Sequence, residues 1–151
     1  MLVSAVYICK VVFIYLINMF IVGIVVTGHY ECLYRINLLT PKLPMHHRLR
    51  IVLGVILAVT AHIVEIWVFG IAFYWMNKAE GWGHLEGNYS GSLMDSVYFS
   101  FTSYTTLGFG DIVPLGDLRF LAGLEALTGL VLITWTASFL YLKMAHYWAE
   151  G

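Results

Sequence analysis

Apolar residues fall in three long, nearly unbroken runs, about Ser4 to Thr27, Ile51 to Met76 and Leu118 to Leu142, separated by polar stretches. Each run reaches the roughly 20 residues that an α-helix needs to cross hydrocarbon, so the pattern predicts three transmembrane helices. The first run could instead be a secretory signal. Its amino end has no basic n-region, its apolar stretch is longer than a typical h-region, and no small-x-small cleavage site precedes Tyr30, so a retained helix is expected.

The polar stretches differ from one another. Residues 29–50 carry Arg35, Lys42, Arg48 and Arg50, with Pro41 and Pro44 interrupting helix. Residues 77–91 carry four glycines, and only Lys78 against Glu80 and Glu86. Basic residues in short loops favour the cytoplasmic side. The expected topology therefore places the amino terminus outside, the 29–50 loop inside, the 77–91 loop outside and the carboxyl end in the cytoplasm. After Gly91 comes a short amphipathic segment, residues 92–104, in which Ser92 and Asp95 are spaced like a capping box with Asp in the place of Glu or Gln. At about 12 residues it is too short to span and suits a re-entrant helix.

Composition agrees with lipid as the solvent. Hydrophobic residues make up 60% of the 151 and charged residues 11%, against roughly 25% charged in soluble domains. The length leaves room for one membrane domain. A net charge of -1 provides no basic surface, so nucleic acid is excluded as a partner. Cys9 and Cys32 sit near opposite ends of the first run, too far apart for a disulfide.

The candidate chemistry lies in Thr105-Thr106-Leu107-Gly108-Phe109-Gly110-Asp111. A dehydrated potassium ion needs rings of oxygen in place of its water shell, and four copies of an extended Thr-x-Gly-aromatic-Gly strand supply them from backbone carbonyls. The glycines allow consecutive carbonyls to point the same way. The carbonyls of Thr106, Leu107, Gly108 and Phe109 would bind the ion, with the Thr106 hydroxyl completing the innermost ring. Irregular backbone of this kind persists at membrane depth only when buried in protein or facing water.

This string, preceded by an aromatic-rich short helix and followed by a Gly-containing long one, resembles the pore-loop potassium-channel family over about Ile51 to Tyr147. The resemblance implies an all-α membrane protein: three transmembrane helices plus a re-entrant pore helix and filter loop, assembled as a homotetramer in the plasma membrane, or the inner membrane of a bacterium. The expected divisions are an additional helix at 1–28, a cytoplasmic loop at 29–50 and a pore domain at 51–151. The pore domain comprises an outer helix at 51–76, a loop at 77–91, a pore helix at 92–104, a filter at 105–111 and an inner helix at 118–147. The implied partners are three identical subunits and the bilayer. No cofactor, small-molecule substrate or enzymatic activity is expected, and potassium is the permeant ion.

Two positions depart from the best-known family pattern. Phe109 stands where Tyr is more common, and the pore-helix residue expected to face it is Phe99, so an apolar brace replaces a hydrogen bond. Thr102 occupies a position where some members place a glutamate that pairs with the aspartate matching Asp111. A more loosely held outer filter is the expectation, with Thr105, Asp111, Phe99, Thr102 and Glu125 as its supports. Glu125, a carboxylate inside a transmembrane run, reads as a filter brace or a proton-sensitive switch.

Gly129 is either a hinge or a point of close helix packing. As a hinge it would place Leu130, Ile133, Ala137 and Tyr141 on the pore face, with a gate near Ala137 or Tyr141. His62 and Glu65 share one helical face and read as a pH sensor, or as a hydrogen-bonded pair packing against the first helix toward Asn18. Two ligands alone do not close a metal shell. The alternatives to selective conduction are a non-selective cation channel and a non-conducting modulatory subunit. An intramembrane metalloenzyme using His29, His46, His47, His62 or Glu65 lacks an H-E-x-x-H spacing.

Overall fold

The computed structural model describes residues 2–149. Four α-helices dominate it: α1 (Leu2–Leu39), α2 (His47–Lys78), the short α3 (Leu93–Tyr104) and α4 (Leu118–Ala149). α1, α2 and α4 are each long and apolar enough to cross a membrane. Two three-residue strands, β1 (Leu85–Gly87) and β2 (Ile112–Pro114), pair antiparallel with Leu85 opposite Pro114. The segment between α2 and α3 is therefore partly ordered into a ribbon with the chain that leaves the Gly-rich string.

The structure corrects the expected division at residue 28. Residues 29–39 are not a loop but the continuation of α1, and a 3-10 turn at Thr40–Lys42 follows. Arg35 donates from Nε to Glu31 Oε1 at 2.7 Å, an i,i+4 pair that supports helix across the polar stretch. Pro41 at the start of the 3-10 turn lacks the N–H that a continuing helix would use. The connection to α2 is thus short, and Arg50 donates from Nη2 to the Leu43 carbonyl at 2.8 Å across it.

The amino-terminal part of α1 lies beside the start of α4. Lys10 Nζ meets Asp117 Oδ2 at 2.8 Å, Phe13 approaches Trp82 and Tyr15 approaches Phe120. That end of α1 and the β1–β2 ribbon consequently share one face of the bundle.

α3 is wedged between α2 and α4, and glycines permit the close approach on both sides. A Cβ on Gly70 of α2 would come within 2.8 Å of the Val97 backbone, and one on Gly129 of α4 within 2.2 Å of the Tyr104 carbonyl. Small residues at helix crossings allow this separation where lipid offers no hydrophobic drive for association. Around the wedge, Phe69 and Phe73 of α2, Val97, Phe99 and Tyr104 of α3, and Leu118, Leu121 and Leu132 of α4 form one buried cluster, joined by Val25 of α1.

Spin labels placed singly along Gly28–Leu39 should give accessibilities that oscillate with a period of about 3.6 residues, as a helix requires. A profile without that period would restore the loop.

Candidate functional site

The capping of α3 sets where the Gly-rich string begins. Ser92 Oγ accepts the Asp95 N–H at 3.0 Å, while Asp95 Oδ2 accepts the Ser90 N–H at 2.7 Å and its hydroxyl at 2.5 Å. The reciprocal half of the capping box is thus directed to Ser90 rather than back to Ser92. The Ser90 hydrogen bonds hold the Asp95 carboxyl below the ordinary aspartate range. At the other end, Tyr104 closes the helix and the chain turns directly into the string.

There the backbone alternates in hand. Thr106, Gly108 and Gly110 have positive φ values of 60°, 52° and 78°, every second residue of the strand. The Thr106 and Gly108 N–H groups turn back to the carbonyls of Ser103 (3.0 Å) and Thr102 (3.1 Å) at the end of α3. Among the described residues, no backbone N–H bonds to the carbonyls of Thr106, Leu107, Gly108 or Phe109. Thr106 is the one non-glycine residue with positive φ among those described, an uncommon conformation for a β-branched side chain and a mark of local constraint. Leu107 and Phe109 are about two-thirds exposed, so the strand has little cover from its own chain.

The outer end of the string is tied down. The Tyr98 hydroxyl donates to Asp111 Oδ2 at 2.9 Å, and the Asp111 carbonyl accepts the Asn88 N–H at 2.8 Å. Accepting this bond, the Asp111 carboxylate raises the Tyr98 hydroxyl above the usual tyrosine range. Gly87, φ +104°, approaches the Asp111 carbonyl so closely that a Cβ there would lie 2.2 Å from it. The expected brace of Phe99 on Phe109 is not made within the chain. Phe99 turns the opposite way and packs edge-on against Phe73, with ring centroids 4.9 Å apart, and the helical turn that buries it brings Tyr98 round to the string. Thr102 does not reach Asp111 either; its hydroxyl bonds the Phe99 carbonyl of its own helix, and its carbonyl takes the Gly108 N–H. The Thr105 hydroxyl likewise returns to Phe101 at 2.6 Å.

Glu125 is fully buried behind α3. Its Oε1 meets the Ser100 hydroxyl, which also lies 2.8 Å from the Ile66 carbonyl, so one serine links α2, α3 and α4. Gly129 lies one turn further along an unbroken α4, in close contact with Tyr104. Leu130, Ile133, Ala137 and Tyr141 are exposed in the single chain.

His62 and Glu65 do meet the first helix, but at His29 rather than Asn18. His29 Nδ1 is 2.7 Å from Glu65 Oε1 and His62 Nδ1 is 3.0 Å from Glu65 Oε2. The Tyr104 hydroxyl donates to Glu65 Oε2 and stands 3.0 Å from His62 Nδ1. Thr136 Oγ1 closes the ring, 3.2 Å from His29 Nε2 and 3.1 Å from His62 Nε2. Asn18 is buried, and neither atom of its amide has a hydrogen-bond partner among the described residues. Tyr104 and Thr136 escaped the sequence-based reading, and His29 was named beside His62 and Glu65 only as a candidate for metalloenzyme chemistry, not as the partner of the pair. The helical continuation of α1, which puts His29 on a buried face, was the missing signal.

Residues 61–145 match a protein family described as ion channel. No curated protein and no solved structure matches the chain.

Gly129→Ala should lower stability by about 1–3 kcal/mol, the usual cost of overpacking, because the new methyl meets the Tyr104 backbone. Gly123→Ala, where a Cβ meets nothing within 4 Å, should be neutral or slightly stabilising. Thermal unfolding of the two variants in detergent distinguishes them; equal midpoints would refute the contact.

Proposed function

We propose that the chain, which belongs to this ion channel family, is the pore-forming subunit of a potassium-selective channel in which four identical copies surround one axis. The observation that carries the reading is the alternating hand of Thr106, Gly108 and Gly110. Alternation turns successive carbonyls to one side, and the N–H groups of Thr106 and Gly108 are already occupied by the end of α3. The carbonyls of Thr106, Leu107, Gly108 and Phe109 are left to coordinate a dehydrated cation, with the Thr106 hydroxyl at the inner end.

What one chain leaves uncovered supports the homotetramer. An irregular strand at membrane depth needs surrounding protein, and so do the exposed Leu107 and Phe109 side chains. Three further copies would supply that cover and complete each ring of oxygens. The apolar row Leu130, Ile133, Ala137 and Tyr141 on α4 would then line the path below the filter. α3 directs its carboxyl end, the negative end of its dipole, at the inner end of the string, which favours a cation there. Asp111, held by Tyr98 and Asn88, anchors the outer end, while Thr105 and Glu125 brace the string from α3 and from behind. The protein is a multi-pass membrane protein. Placing the filter and the amino-terminal end of α1 outside follows the basic residues at Lys42, Arg48 and Arg50.

Purified chain in liposomes should pass potassium and rubidium and exclude sodium and lithium. Gly108→Ala should abolish the flux although its own chain leaves room for a methyl, because an alanine at φ +52° costs about 1–2 kcal/mol in each of four strands and tends to turn the carbonyl away. Equal flux of all four cations would establish a non-selective pore. No flux from well-folded protein would favour a modulatory subunit.

A further inference from the structure

We propose that His29, His62 and Glu65 form a binding site for a first-row divalent transition ion of the Zn²⁺ type, joining α1 to α2 behind the end of α3. The inference does not depend on what the pore conducts.

The ligand atoms of the three residues lie within 4.8 Å of one another. The two Nδ1 atoms stand 2.7 and 3.0 Å from the two oxygens of one carboxylate. In a tetrahedral site with Zn–N and Zn–O bonds near 2.0 Å, neighbouring ligand atoms are about 3.3 Å apart, so each of the two nitrogen–oxygen pairs must open by only a few tenths of an ångström. The Tyr104 hydroxyl, 3.0 Å from His62 Nδ1 and bonded to Glu65, lies beside the three ligands. Two imidazoles and one carboxylate select a borderline ion over Mg²⁺ or Ca²⁺, which favour oxygen alone.

The surroundings meet a further requirement of metal sites. A ligating imidazole needs its other nitrogen oriented by a hydrogen bond. Here both Nε2 atoms converge on Thr136 Oγ1, at 3.2 and 3.1 Å. With an ion at the Nδ1 side each ring carries its proton on Nε2, and the two lone pairs of one hydroxyl can accept both. One residue of α4 thus fixes both rings. Beside the site, a groove of about 330 Å³ between α1 and α2 has Glu65 in its wall with Gly28, Cys32 and Thr60.

Untagged full-length chain in detergent should be titrated with Co²⁺ and followed by the visible d–d bands of the tetrahedral ion, with Zn²⁺ as competitor. One ion per chain is expected. Binding should be lost in His29→Gln, His62→Gln and Glu65→Gln, and weakened about 10–100-fold in Thr136→Val, which keeps every ligand. Cys32→Ser should leave the spectrum unchanged, as should joint replacement of His46, His47, His84 and His146 by Asn. Helix content by circular dichroism identifies any variant that fails to fold, and the Thr136 and four-histidine variants then decide. Absence of a tetrahedral spectrum in the parent overturns the proposal, and so does a spectrum that disappears in the four-histidine variant.

Discussion

A helix of 12 residues cannot cross hydrocarbon, so α3 and the strand that follows it must find every polar partner inside the protein. Much of the architecture answers that constraint. Its first turn is capped by Ser92, its middle is tied through Ser100 to Ile66 and Glu125, and its end is tied through Tyr104 to Glu65. Beyond it, the N–H groups of Thr105, Thr106 and Gly108 are taken by its own last carbonyls. Gly70 and Gly129 bring α2 and α4 close enough to make these bonds direct.

The same constraint relates stability to function. A polar group left unpaired in lipid costs several kcal/mol, so each tie on α3 also fixes the position of the Gly-rich string. Tyr104 carries two of these constraints. Its hydroxyl belongs to the ring around Glu65, and its carbonyl abuts Gly129 two residues before Thr106 turns into positive φ. At the outer end Asp111 is held twice, by Tyr98 and by Asn88, and the β1–β2 ribbon continues the anchoring. The side chain that bonds Asp111 is that of Tyr98, one helical turn before Thr102.

The sequence made the apolar runs and the Gly-rich string legible because both are local patterns. Run length speaks for a spanning helix, and a Thr-x-Gly-aromatic-Gly string speaks for an unusual backbone. The continuation of α1 past Thr27 was obscured by charge: Glu31 and Arg35 read as loop residues, although their i,i+4 spacing is also a helical signal. Missing that continuation hid His29 from the face where His62 and Glu65 lie. The rotation of Phe99 away from Phe109 was likewise hidden, since it depends on where Phe73 sits. Thr136 lies 107 residues from His29 and carries no local mark of their contact.

α1 is more than an additional anchor, and the hydrogen-bond count around Glu65 shows why. Glu65 accepts from His29, His62 and Tyr104, groups on three different helices. Without α1 the Oε1 side of a mid-membrane carboxylate would lose its close partner, and Thr136 would keep only one of its two imidazoles. A buried charge that loses a hydrogen-bonded partner costs more than the pair contributed while intact. The remaining groups would rearrange toward whatever donor they could reach, and Tyr104 is already bonded to the same carboxylate. Displacing it moves the residue that sets the start of the strand. A continuous chain of contacts thus runs from the first helix to the start of the string, through one carboxylate and one tyrosine.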